Sequence, residues 1–537
     1  SVAQSGALRS DQDEIKRSLV LPQDVNADAS KLRIDLSPSI AGTLMSALDF
    51  LASYPYGCVE QTMSSFLPNI LVTKSIKDLG LTPPAASTEL DKKIAAGLER
   101  LYMFQHEDGG WGWWQTDETH PFMTAYVVAG LAQAKEAGYP IDEQRLKNGR
   151  DSLIRQIKEN PRALADIRVY MIYALALSGE VDHALVEDLY SSRERFSAHG
   201  QALMALLLMQ RKDPRAQDFV KLLEAGAHSE GPFAWWKSER QEMLDFSSDN
   251  SFETTAYALK ALANLDPKSD LLPRAARWLM EHRSDGYYWD STEQTATAIY
   301  GLIDYLKISG ELKPNYTLTV YLNGQKLGGR TITEKDVANP LPILLTAAAP
   351  QVHAGANEVR IVKSGAGVLY WSASASYFSR EPKPAPAGSY ALNVVREYFK
   401  LVPERLDNRI VYSEQPLADP VQTGDVVEVR LTVSATQNEQ YLQIEDPIPA
   451  GFDFIEQEGL FPLKSKPSWW DFHYTQREFH DDRAALFSTK FERGQGQFHY
   501  LLKAVTPGTF QANPARVLPM YEPARQASTR AVTVTVK

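Results

Sequence analysis

One cysteine stands in a chain of 537 residues. A single thiol forms no internal disulfide, so no disulfide framework holds this fold. The compartment stays open, because disulfides mark oxidising spaces but their scarcity does not exclude one. Long apolar runs are also missing. No stretch of ~18 or more apolar residues occurs, so no membrane-spanning helix is predicted. The first residues, SVAQSGALRSDQDEIKRSL, lack a basic region followed by an apolar stretch, and no signal peptide is expected there. Basic charge is in deficit. Lysine and arginine number 56 against 67 acidic residues, a net charge of -11, which argues against nucleic acid as a partner. The chain has no His-Glu-x-x-His, no Cys-x-x-Cys and no Gly-x-x-x-x-Gly-Lys, and His106, His120 and His282 show no metal-ligand spacing. Neither a metal, a nucleotide nor any other cofactor is expected.

What remains is an ordinary globular composition, 44% hydrophobic and 23% charged. The length exceeds one core and implies roughly two to five domains. Residues 1–30 are polar with little periodicity. Lys31-Leu32-Arg33-Ile34-Asp35-Leu36 alternates as a strand does. From about residue 40 to 310 the period is helical, with Leu44, Leu48 and Leu51 on one face and Ala/Leu-rich segments at 125–131, 169–177, 202–208 and 256–262.

This region repeats itself. Asp108-Gly109-Gly110-Trp111-Gly112-Trp113-Trp114 precedes Thr124-Ala125-Tyr126. Gly231-Pro232-Phe233-Ala234-Trp235-Trp236 precedes Thr255-Ala256-Tyr257, and Asp285-Gly286-Tyr287-Tyr288-Trp289 precedes Thr295-Ala296-Thr297-Ala298. Each copy is a glycine turn, an aromatic cluster and an alanine-rich helix. The aromatics read as plugs at the ends of helix pairs, and such hairpins close into an α/α toroid more naturally than into one bundle. Beyond Leu312 strands return: 316–322 before Asn323-Gly324, then 357–362 and 368–375. Residues 381–388, EPKPAPAG, read as a linker. Strands at 391–398, 425–433, 497–505 and 530–536, with Pro/Gly turns between them, argue for a β-sandwich.

The lone cysteine lies in Tyr56-Gly57-Cys58-Val59-Glu60-Gln61. Gln61 follows Cys58 by about one helical turn. A turn at Gly57, with a φ open only to glycine, would bring the sulfur to the Gln61 side-chain carbonyl. Loss of ammonia from that pair leaves an internal thioester, an acyl donor toward amines and hydroxyls. Proximity alone supplies roughly 7–11 kcal/mol for such a pair. Pro55 stiffens the approach, and Pro68 is expected to end or bend the helix that carries Gln61.

Gly-Cys-x-Glu-Gln resembles the thioester signature of the α2-macroglobulin and complement family, and the whole chain resembles the C-terminal part of a bacterial α2-macroglobulin. The resemblance implies a multidomain α plus β fold. An α/α toroid thioester domain (37–311) would be inserted in a CUB-like β-domain, whose parts are an N-terminal segment (1–36) and residues 312–380. A linker (381–388) and a C-terminal macroglobulin β-sandwich (389–537) would follow. It implies a single-turnover covalent trap and endopeptidase inhibitor, not an enzyme, in which a lysine amine of the target protease attacks the Gln61 carbonyl and Cys58 departs. Tyr56, Gly57 and Glu60 support the motif, and Glu60 is expected to fix the turn by hydrogen bonds. Shielding falls to Tyr54 and to an exposed tip at Met520-Tyr521, with Trp469-Trp470 a second pair.

Complement relatives carry a histidine that redirects attack to hydroxyls. The matching position here is near Thr124, with His120 four residues earlier, so direct attack by amines is expected. The resemblance further implies missing N-terminal domains with a bait region, a periplasmic location, a lipid anchor at the inner membrane and association with a peptidoglycan synthase. Two other readings compete. One is a toroid glycan-active enzyme using Asp108, Asp117 or Glu118. The other is a non-covalent envelope scaffold with a decayed thioester.

Overall fold

The computed structural model describes residues 2–8, 12–54, 57–80, 87–161, 163–237, 250–284, 286, 288–311, 313–337, 342–378, 391–407, 409–417, 420–464 and 475–537. The chain forms two compact units, Ser1–Arg380 and Glu381–Lys537. The linker segment 381–388, Pro55, Tyr56 and the Trp469-Trp470 pair lie outside the described residues.

In the first unit the helical period produces α1 (Ile40–Ser53), α2 (Val59–Asp78), α3 (Ser87–Met103), α4 (Pro121–Glu136), α5 (Glu143–Glu159) and α6 (Ala165–Ser178). It continues with α7 (His183–Ser191), α8 (Ala198–Gln210), α9 (Ala216–Gly226), α10 (Ser251–Leu265), α11 (Leu271–Glu281) and α12 (Thr292–Ile308). Four starts are capped by a short oxygen side chain: Asp142, Asp182, Ser197 and Ser291 each accept from a first-turn amide.

Burial sorts the helices into two layers. α4 buries 12 of its 16 residues, whereas α5 buries 5 of 17. The even-numbered helices pack in a closed cycle, α2 on α4, α6, α8, α10 and α12 in turn, with α12 back on α2. The odd-numbered helices lie outside that cycle. Alanine and glycine let inner helices approach: a Cβ at Gly301 of α12 would come within 2.4 Å of the Ala256 carbonyl oxygen of α10. Pro68 neither ends α2 nor stops its hydrogen bonding beyond, since the helix runs on to Asp78. The Asn69 side chain donates to the Ser65 carbonyl at 2.6 Å, on the turn that precedes the proline.

The helices interrupt a β-sandwich. One antiparallel sheet runs, in spatial order, Val2–Leu8, Leu369–Ser376, Lys31–Ser37 and Ile343–Ala348. The other runs Glu14–Leu21, Gly355–Ala366, Asn315–Leu322 and Gln325–Ile332. Leu32, Ile34, Leu36, Leu318, Val320 and Trp371 share its core. Asn323 (φ 51°) and Gly324 (φ 80°) make the tight hairpin turn that their pairing predicts. The reading of residues 1–30 as lacking periodicity is corrected, because two strands lie there. Both sit at sheet edges, where few side chains are buried and alternation is weak.

The second unit is all β. One sheet orders Arg409–Pro416, Leu392–Leu406, Val426–Ala435, Gly494–Ala504 and Phe452–Ile455. A second orders Gln476–His480, Arg483–Phe491, Glu439–Pro447, Arg516–Pro519 and Ala527–Ser528. Val427, Val429, Leu431 and Val433 point into the core from one face, as their alternation requires. Arg396 and Asp446 form a buried ion pair at 2.5 Å, with side chains 1% exposed, and the Tyr500 hydroxyl donates to the same carboxylate at 2.8 Å.

Candidate functional site

Cys58 is the cap of α2, the first inner helix. Its sulfur accepts from the Gln61 backbone N–H at 3.4 Å, and its own N–H donates to Gln61 Oε1 at 3.1 Å. This reciprocal arrangement is a capping box, normally built from Ser or Thr with Glu or Gln. Here a thiol replaces the hydroxyl. Both side chains are withdrawn from solvent, Cys58 at 0% and Gln61 at 4% exposure.

The turn is held from several sides. Val59 N–H donates to the Trp113 carbonyl at 2.9 Å, which ties α2 to the first tryptophan loop. Arg100 of α3 donates to the Gly57 carbonyl at 2.6 Å. Gly57 lies outside the left-handed region, so the expected glycine-only φ is not its role. A Cβ there would lie 2.7 Å from the Arg100 guanidinium carbon, so a side chain at 57 would displace the arginine that holds this turn.

Glu60, expected to fix the turn by hydrogen bonds, reaches across to the start of α12. It is fully buried and accepts from Thr292 Oγ1 at 3.1 and 3.0 Å and from Ser64 Oγ at 2.5 Å. Sequence reasoning missed Thr292, and no local signal could have found a partner 232 residues away.

His120 caps the start of α4, with its ring 4.9 Å from that of Trp113 and edge-on to it. It therefore neighbours the residue that holds Val59. Thr124 is occupied in the scaffold. Its hydroxyl accepts from Trp111 N–H at 3.0 Å and donates to the His120 carbonyl at 2.9 Å. Tyr54 ends α1 half-buried, with Phe50 edge-on at 6.0 Å. Met520 and Tyr521 do not form an exposed tip. Both are buried, Met520 N–H donates to the Tyr441 carbonyl at 2.9 Å, and the Tyr521 ring stands edge-on to Tyr441 at 5.6 Å.

The tryptophan loops share one hydrogen-bond scheme. Trp111, Trp236 and Trp289 are fully buried, and each indole N–H donates to a carbonyl near the end of the preceding outer helix: Leu101 at 2.8, Leu223 at 2.7 and Leu279 at 3.0 Å. Each backbone N–H donates at 3.0 Å to the threonine of the next inner helix, Thr124, Thr255 or Thr295.

First turns of neighbouring inner helices meet around the ring. Asp166 of α6 accepts from Ser197 at the start of α8, Glu253 of α10 shares a hydrogen bond with Glu293 of α12, and Glu60 meets Thr292. Burial, reinforced by the Glu253 charge, holds the Glu293 carboxyl well above its ordinary range. The ring interior holds a cavity of about 20 Å³ lined by Tyr126, Tyr170, Tyr257 and Tyr300, space for about one water.

Asp108 and Asp117 build loops. Asp108 accepts from Gly110 N–H and from Thr119, and Asp117 accepts from Trp113 and Trp114 N–H. Among the described residues no group of three or more His, Cys, Asp or Glu side chains is placed to hold a metal ion, and no helix is long and apolar enough to cross a membrane.

Comparison with known proteins follows these boundaries. A model described as the A-macroglobulin TED domain matches residues 34–186 and 183–305. The Bacterial Alpha-2-macroglobulin MG10 domain matches 392–524. An alpha-2-macroglobulin homolog of Nostoc is 23% identical over 95% of this chain and 27% of its own length. The alpha-2-macroglobulin of Thermotoga maritima is 28% identical over 57% of this chain and 18% of its own length. That of Escherichia coli is 23% identical over 89% of this chain and 28% of its own. The chain thus matches between 18% and 28% of the length of these relatives.

A crystal structure of native E. coli alpha-2-macroglobulin, from domain MG7 to the C-terminus, superposes with a TM-score of 0.74 at 20% identity, covering 99% of this chain and 82% of that one. Salmonella alpha-2-macroglobulin reacted with methylamine gives 0.74 at 20% identity, covering 99% and 33%. At these identities the likeness is one of fold.

Proposed function

This chain belongs to the bacterial alpha-2-macroglobulins, and from that premise we propose that it carries the covalent-capture part of a protease-trapping inhibitor. The observation that carries the reading is the Cys58–Gln61 capping box. In forming the bond, the Cys58 sulfur attacks Gln61 Cδ, the C–N bond breaks, and the thiol proton leaves with the amide nitrogen as ammonia. The Cys58 N–H, already on Gln61 Oε1, stabilises the negative charge that develops on that oxygen.

In capture, an amine attacks the same carbon. The C–S bond breaks, an amide forms, and the proton lost by the amine goes to sulfur. The Gln61 N–H and the α2 N-terminus favour the departing thiolate. One helical turn thus positions nucleophile, electrophile and oxyanion donor. Each bond is used once, so the chain is a trap with a lysine amine of the target protease as its expected partner.

In the same reading the closed cycle of helices is an α/α toroid, the split sandwich is the CUB-like domain, and the second unit is the C-terminal macroglobulin domain. Tyr54, Met520 and Tyr521 are carried over from the family as the proposed shield, and Tyr521→Ala is expected to hasten thiol release; because its ring is buried, the Tm of the variant is read beside the release rate. Missing N-terminal domains with a bait region, a periplasmic location, a lipid anchor and a peptidoglycan synthase partner are carried over from the family on the same footing. The glycan-enzyme reading draws no support from Glu253 and Glu293, which bond to each other and are buried at 1% and 5% exposure. A glycosidase pair needs carboxylates held apart for substrate and water.

Intact mass tests the reading. The wild type is expected to weigh one ammonia less than its sequence, to gain one methylamine on treatment, and to release one thiol; Cys58→Ala does none of these. A wild type of full sequence mass that ignores methylamine favours the decayed, non-covalent scaffold.

A further inference from the structure

The cap at Cys58 is complete without Glu60, yet Glu60 is the more elaborately bonded residue. Its carboxylate is fully buried and takes hydrogen bonds from two hydroxyls, Thr292 Oγ1 and Ser64 Oγ. Ser64 Oγ lies 3.3 Å from the Tyr126 hydroxyl. Thr292 opens α12, Ser64 is one turn along α2, and Tyr126 belongs to α4. One carboxylate therefore links three inner helices.

Their position in the chain gives this meaning. α2 is the first inner helix and α12 the last, so the contact between them is the seam at which the ring closes. Every other neighbouring inner pair is joined through one intervening outer helix. The seam has no such link; among the described residues it is held by packing, that of α1 on both helices included, and by polar contacts such as Glu60–Thr292. Cys58 and Gln61 sit in the same first turn. The other side of that turn is fixed by the Val59–Trp113 bond at 2.9 Å.

We infer that Glu60 is a positioning residue that clasps the ring seam, and that opening of the α2–α12 clasp governs the lifetime of the bond between Cys58 and Gln61. The inference rests on the thioester reading and adds its regulation. The clasp keeps the first turn of α2 closed, which keeps the Gln61 carbonyl aligned with the Cys58 N–H and away from water. With the Thr292 hydroxyl lost, the buried carboxylate loses a hydrogen bond to α12, and the turn opens more often.

The test uses the full chain with Thr292→Val, which keeps the shape and removes the hydroxyl, and Thr292→Ser, which keeps the hydroxyl. Two quantities are read beside Tm: thiol release in buffer, and hydrogen exchange of the amides of residues 59–64. Thr292→Val is expected to speed both by about tenfold, the loss of one hydrogen bond to a buried charged group, with Thr292→Ser close to wild type. Should Thr292→Val fail to fold, Ser64→Ala reads the same clasp from the α2 side and is expected to move both rates in the same direction. Wild-type rates in Thr292→Val, or equal acceleration in Thr292→Ser, overturn the clasp. A wild type that releases no thiol with methylamine sinks the thioester reading instead, and the clasp then stands or falls on the exchange rates alone.

Discussion

Two of the ways in which inner helices of the ring begin separate scaffold from chemistry. α4, α10 and α12 each follow a buried tryptophan whose indole N–H ties back to the previous helix and whose backbone N–H meets a threonine of the new one. α2 begins instead with a thiol and a carboxamide in reciprocal hydrogen bonds. The cysteine device satisfies a first-turn amide of α2, whereas each indole N–H satisfies a last-turn carbonyl of the preceding outer helix. The tryptophan device fills a large volume with a group that does not react. The cysteine device fills little volume with two groups that can join. The first should therefore dominate stability and the second should be nearly dispensable for it.

The largest expected effect follows directly. Trp289→Ala should destabilise the first unit by about 3–5 kcal/mol in urea unfolding, since a fully buried indole leaves a cavity. Cys58→Ala should lose only a cap, about 0.5–2 kcal/mol. Equal losses would erase the contrast. Thr295→Val comes next, at about 1–3 kcal/mol, because the Trp289 N–H then has no acceptor at 3.0 Å.

Titration should sharpen the comparison further, since two buried groups of the first unit act in opposite directions. Burial pushes the Glu311 carboxyl up to about 7, where it accepts from the Tyr370 hydroxyl at 2.6 Å and from Ile40 N–H at 3.2 Å. The folded chain then holds a proton that the unfolded chain has released, so its contribution to stability is lost as pH rises from about 4.5 to about 7. Glu311→Gln should flatten stability across that window. Burial lowers His199 to about 3, so the folded chain resists a proton that the unfolded chain takes, and stability is lost as pH falls below about 6.5. Urea midpoints measured from pH 4 to 8 check both signs.

The two helix starts also differ in how far they could be read in advance. The Cys58–Gln61 pair is legible because its chemistry is local, one turn apart on one helix. The tryptophan repeat is legible as periodicity, and the three buried, fully bonded indoles bear out their reading as plugs. Glu60 escapes such reading because its partner is distant in the chain. The strands Val2–Leu8 and Glu14–Leu21 escape it because edge strands bury few side chains, Leu19 and Leu21 being the buried pair of the second. Pro68 misleads because one missing N–H does not stop a helix of 20 residues whose flanking turns are packed in the ring. Met520 and Tyr521 were expected as an exposed tip between two prolines. They are buried and held by Tyr441, whose positive φ of 51° no local pattern announces.

Whether the α2 start is reactive is decided most directly by locating an amine. The intact chain is treated with isotopically labelled methylamine, digested, and mapped by mass spectrometry, with free thiols blocked beforehand. The expected result is one label per chain, on the side chain of residue 61, with a newly exposed thiol on Cys58. Label absent from residue 61 while Cys58 titrates fully as a thiol before treatment would contradict the account.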